Sequence, residues 1–223
     1  MMILPLPIKK WMHDFCDALE HEKMKIVWSC FTRLNLVDKP LLEHMKKAGC
    51  WNIFYGIEAG DQELLDNMKK MMTLDQMRQG VRWTKEAGIE IRGSFMIGLP
   101  GETPEKARKT IAFAIELDPD YAQFSITTPY PGTELWNTYK KWGTLDKTFK
   151  DYHGWSPVFV PFGYKDRKEL MEIHKEAFRR FYMRPKFILR SIAKIRSFND
   201  IKRYLNGFKV VLDMLKKENT TGY

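Results

Sequence analysis

The sequence predicts an α/β protein: consecutive βα units over its first 145 residues, then a C-terminal helical extension. Three observations carry this. Apolar runs rich in β-branched and aromatic residues begin near residues 25, 51, 89 and 121. Segments with helical spacing of apolar residues separate them. Those segments open on capping residues, and two of them close on glycine. Strands alternating with helices pair in parallel through right-handed crossovers. About four such units make part of a (βα) barrel or an open doubly wound sheet.

Taken in order, Trp11, Phe15, Ala18 and Leu19 stand at helical spacing in a helix from about Ile8 to Glu22. Lys25–Thr32 (KIVWSCFT) reads as the first strand. Asp38 is a helix N-cap ahead of KPLLEHMKK, which stops at Gly49. Trp51–Ile57 is the second strand, and Glu63–Lys70 a short helix. Thr73 caps a longer helix ending at Ala87-Gly88. Ile89–Ile97 is the third strand. Thr103-Pro104-Glu105 supplies a cap, a first-turn proline and an acid for the next helix. Tyr121–Thr127 is the fourth strand, broken by PYPGT. Trp142–Tyr164 is aromatic and irregular. Lys165–Tyr182, Pro185–Arg196 and Asn199–Lys217 read as basic helices. The expected organisation is therefore 1–145 for the βα units, 146–164 for an aromatic loop and 165–223 for the extension.

Of the 223 residues, 44% are hydrophobic and 29% charged, enough for one good-sized core. No apolar run approaches the ~20 residues of a membrane span, and the opening MMILPLPIKK lacks a signal-peptide core and cleavage site. The expected compartment is the cytoplasm. Three widely spaced cysteines (Cys16, Cys30, Cys50) argue against a disulfide framework and are read as buried or half-buried thiols. His13, His21, His44, His153 and His174 show no metal-ligand spacing, so no metal ligands are assigned. The net charge of +9 belongs to the tail: residues 165–223 hold sixteen Lys/Arg against seven Asp/Glu, whereas residues 1–164 hold twenty-one of each. A solvated helical face is favoured there over a nucleic-acid site, because no nucleic-acid motif accompanies it.

Polar residues stand inside or just after the strands: Arg33, Glu58, Ser94, Gln123 and Thr127. The C-terminal edge of a parallel sheet is where ligands bind. Three segments, WSCFTRLNLVDKPLLEHMKKAGCWNIFYGIEAGDQELLDNMKK, GIEIRGSFMIGLPGET and DYAQFSITTPYPGTEL, occur in an order that resembles radical S-adenosylmethionine (SAM) enzymes. The resemblance covers residues ~8–160 and is greatest to members with a cobalamin-binding domain. It implies a partial (βα)6 barrel whose first strand precedes a CxxxCxxC loop ligating a [4Fe–4S] cluster. The cluster binds SAM and cleaves it to a 5′-deoxyadenosyl radical that attacks a small-molecule substrate.

The four strands would match the third to sixth strands of that barrel, and no CxxxCxxC is present. The expectation is a C-terminal part of such an enzyme. The cluster and any cobalamin would be held by a missing N-terminal segment, and the chain would be inactive alone. The alternative is a degenerate barrel serving as a binding or accessory module. For SAM, the resemblance points to Glu58 as acceptor for ribose hydroxyls or the ammonium and to Arg33 as donor to the carboxylate. It sets Ser94, Gly98, Leu99 and Pro100 along the adenine and sulfonium region. Gln123, Ser125 and Thr127 alternate on one strand face and are expected to point inward. Glu102 is read as charging the following helix N-terminus.

Overall fold

The computed structural model describes residues 5–149 and 152–216. Its elements run α1 (Pro5–His21), β1 (Trp28–Thr32), α2 (Lys39–Lys47), β2 (Cys50–Glu58), α3 (Gln62–Asn67), α4 (Leu74–Glu86), β3 (Glu90–Ile97), α5 (Pro104–Leu117) and β4 (Tyr121–Ile126). There follow α6 (Glu134–Thr138), β5 (Gly143–Leu145), β6 (Phe159–Pro161), α7 (Arg167–Tyr182), α8 (Pro185–Ala193) and α9 (Phe198–Lys216). Strands β1 to β4 form one sheet in sequence order, and β1–β2 and β2–β3 pair in parallel. The predicted α/β class and the partial barrel stand. Two compact units divide the chain, Met1–Phe95 with Glu116–Gln123, and Met96–Ile115 with Phe124–Tyr223.

In the first unit the caps behave as their side chains dictate. Asp38 accepts from the Leu41 amide at 3.0 Å and from Lys9 Nζ at 2.6 Å. Thr73 and Gln76 exchange hydrogen bonds in a capping box. Strand alternation puts Ile53, Tyr55, Ile57 and Ile91 in the core with Leu42, Met45 and Met77. The Tyr55 hydroxyl meets Thr84 Oγ1 at 2.9 Å, so the buried phenol keeps a partner. The first strand is shorter than predicted. Trp28 opens the ladder, its amide donating to the Gly49 carbonyl and its indole N–H to Ala48. Lys25–Val27 precede that anchor and are not strand.

In the second unit, Phe124, Ile126, Ile111 and Ala114 are buried, as are Leu170, Phe178 and Phe181 of α7. Phe124 meets Phe178 and Phe181 edge-on, with centroids 5.5 and 6.1 Å apart. Where the sequence reads as an irregular aromatic loop, β5 and β6 form a three-pair antiparallel ladder, Gly143 opposite Pro161. Strands of three residues show no usable periodicity. His174, buried on α7, donates from Nε2 to the Phe124 carbonyl at 2.9 Å.

Two expectations follow. Burial depresses the His174 pKa, the Phe124 carbonyl opposing it in part. The folded protein therefore binds fewer protons than the unfolded chain below the ordinary value of 6.5. Its stability should decline as pH falls through 6.5, and His174→Gln should flatten that slope in chemical denaturation across the same range. Separately, β1 ends the sheet order and Phe31 on it is 80% exposed. Such an edge invites pairing. Sedimentation velocity should show mass rising with concentration, and Phe31→Lys should return the chain to monomer.

Candidate functional site

The C-terminal end of β2 leaves regular geometry. Pairing with β3 shifts register between Gly56 and Glu58, and Glu58 itself has φ +73°. A non-glycine residue in left-handed backbone at a strand irregularity costs on the order of 1 kcal/mol or more and is found where a side chain is re-aimed. The re-aimed carboxylate meets Lys70 Nζ through Oε1 at 3.1 Å, and both side chains are mostly buried. A Cβ on Gly56 would come within 2.5 Å of that oxygen, so glycine keeps the space open for the pair.

Arg33, immediately after β1, donates through one terminal nitrogen to the Lys70 carbonyl. Its Nε is buried and has no protein partner among the described residues. The same residue, Lys70, thus anchors Arg33 by its backbone and Glu58 by its side chain. A carboxylate has about four acceptor sites and Lys70 occupies one, so the cluster can still take donors through Glu58 and an acceptor through Arg33 Nε. Ser94 stands opposite Gly56 in the β2–β3 register and is half-buried. Gln123, on β4, is exposed.

In the second unit the turn after β3 is built by its sequence. Glu102 N–H closes on the Leu99 carbonyl at 2.9 Å across Pro100-Gly101, with Gly101 at φ +77°, the residue pattern of a type II turn. Gly98 is also left-handed, at φ +82°. Leu99 is buried and Pro100 half-buried. Glu102 is fully buried. Its Oε1 accepts from the Gly98 amide and from the Tyr164 hydroxyl, each at 2.5 Å. The carboxylate therefore pins the turn from inside; it does not stand exposed to charge the α5 N-terminus, as the sequence suggests. Burial and the neighbouring Glu102 carboxylate push the Tyr164 pKa up, which keeps the phenol a donor. Thr127 lies just past β4, buried, with its amide and hydroxyl both donating to the Ile97 carbonyl at 2.9 and 3.2 Å. Its hydroxyl ties backbone together. Ser125 is half-buried within β4.

Sequence reasoning missed Lys70 and Tyr164. Lys70 follows a short helix between two left-handed residues, Lys69 and Met71, and nothing in KKMM announces it. Tyr164 is separated from Glu102 by 62 positions.

The three thiols do not fit an iron–sulfur cluster. Cys16 and Cys50 are buried, Cys30 half-buried. Among the described residues no three His, Cys, Asp or Glu are disposed to hold a metal ion. Burial pushes the Cys16 thiol up to about 11, further from the thiolate a metal requires. Cys30 is lowered by its contact with Cys50, while Cys50 is raised by the same contact and by burial.

Parallel βα units with charged and polar side chains at strand ends define a partial (βα) barrel with a ligand-type edge. The chain belongs to the radical SAM superfamily, whose family model matches residues 7–114. It is 33% identical over 210 residues to an uncharacterized methyltransferase of Pyrococcus horikoshii, covering 89% of this chain and 43% of that protein. It is 30% identical over 202 residues to the anaerobic magnesium-protoporphyrin IX monomethyl ester cyclase of Rubrivivax gelatinosus, covering 89% and 35%. The chain thus spans less than half the length of either relative. Coproporphyrinogen III oxidase of Escherichia coli, a radical SAM enzyme, superposes with a TM-score of 0.54 over 81% of this chain and 37% of its own, at 16% identity. That likeness concerns the fold.

Tyr164→Phe removes one of the two donors to a buried carboxylate. It should cost about 1–3 kcal/mol in urea denaturation, and Glu102→Gln should cost less when combined with it than alone, a coupling read by the double-mutant cycle.

Proposed function

We propose that this chain supplies part of the SAM-binding edge of a radical SAM enzyme, whose cluster ligands lie outside its 223 residues. The observation that carries this is that Lys70 ties together Glu58, held in left-handed backbone, and Arg33, whose buried Nε has no partner among the described residues. When bound, SAM presents a sulfonium with cleavable carbon–sulfur bonds, the source of an adenosyl or methyl group. Glu58 would accept from its ribose hydroxyls or ammonium, and Arg33 would donate to its carboxylate. Lys70 would hold both in place and be neutralised by Glu58. Ser94, Gly98, Leu99 and Pro100 would line the adenine side with backbone, joined by Gln123 on β4 and by Thr127 just past it.

For the whole protein the reaction class we propose is radical transformation of a small molecule, methyl transfer first. The Pyrococcus relative's name and the resemblance to members with a cobalamin domain support it. A segment carrying the CxxxCxxC loop, and cobalamin on a further domain, would complete the machinery.

Equilibrium dialysis of labelled SAM against the chain tests the site. Glu58→Gln and Arg33→Ala should each weaken retention about tenfold, the loss of roughly one charge-assisted hydrogen bond at 1.4 kcal/mol per decade. Retention that neither substitution changes would refute the assignment. Translating the DNA upstream tests the second half, since a CxxxCxxC in any frame supports it and its absence removes it.

A further inference from the structure

Much of the tail's charge lies along α8 and α9, whose described side chains are largely exposed or half-exposed. Between Met183 and Lys209 the sequence holds eight Lys/Arg and one acid, Asp200. Helix α8 buries none of its nine residues. Leu189 is 67% and Ile192 59% exposed, and Ile188 is exposed beside them. Positions 188, 189 and 192 fall on one side of a helix at i, i+1 and i+4. Lys186, Arg190 and Lys194, at i, i+4 and i+8, form a basic row on the other side of the helix. Helix α9 repeats the pattern, with Leu205 65% exposed and Phe208 exposed three residues on, next to exposed Lys202 and Lys209.

We propose that α8, with α9, is a docking surface for an anionic phospholipid bilayer. Cations alone would suit any polyanion. A nucleic acid, however, offers an exposed Leu189 and Ile192 nothing comparable to the boundary between headgroups and acyl chains. A helix with an apolar stripe on one side and a row of lysine and arginine on the other matches that boundary on both counts. The long basic side chains on the other side can extend and put their charge at headgroup level. The contact is peripheral: no helix among the described residues is long and apolar enough to cross a membrane. Its consequence for function is access to a substrate or partner held at a membrane surface.

Co-sedimentation of the full chain with vesicles reads this directly. Phosphatidylcholine vesicles containing roughly a third phosphatidylglycerol should bind it at least tenfold more tightly than phosphatidylcholine alone. Raising salt severalfold should erase most of the difference. Leu189→Ser with Ile192→Ser should weaken binding about tenfold or more. Both sites are exposed, so the melting temperature should stay put. Four results would overturn the proposal: no preference for anionic vesicles, binding untouched by the serine pair, tighter binding to duplex DNA or RNA than to vesicles, or a self-association that the serine pair abolishes.

Discussion

A parallel sheet has a direction, and the functional geometry depends on that constraint. Every strand must be re-entered from the same side, so each crossover helix returns the chain to the N-terminal edge. All turns that follow strands then collect at the opposite edge. Arg33 after β1 and Glu58 at the end of β2 come together for this reason, although 25 positions separate them in the sequence. Burial on the helix-covered face, with Ile53, Tyr55, Ile57 and Ile91, fixes the register that delivers them. The strain at Glu58 is tolerable because it falls at the last residue of a strand whose preceding residues are locked.

The larger features of this arrangement were legible in the sequence because they rest on periodicity and capping, which are local. Asp38 and Thr73 cap as their side chains require, β2, β3 and α4 begin and end within about two residues of expectation, and α5 begins at the expected Pro104. What escaped depends on distance. The ladder between β5 and β6 has three pairs and is set by packing. Glu102 reads as a helix-start acid by position, yet its environment is made by Gly98 and by a tyrosine far down the chain. Lys70 reads as the end of a helix, but α3 stops at Asn67, and Lys70 is placed between left-handed Lys69 and Met71.

Membership in the radical SAM superfamily stands here beside three thiols that, among the described residues, join no group able to hold a metal ion. The strand edge present here brings Arg33 and the Glu58–Lys70 pair to one place through Lys70. Cys16 stands on α1 and Cys30 and Cys50 on adjacent strands, the last two in contact with each other.

The Glu102–Tyr164 contact has a consequence for motion. A buried carboxylate that loses a donor is left under-solvated, so opening the segment that carries Tyr164 raises the free energy of the turn at Gly98. The two therefore open as one cooperative unit. In amide hydrogen exchange, the Gly98 N–H would report the unfolding of a segment more than sixty residues away, at the rate that segment departs.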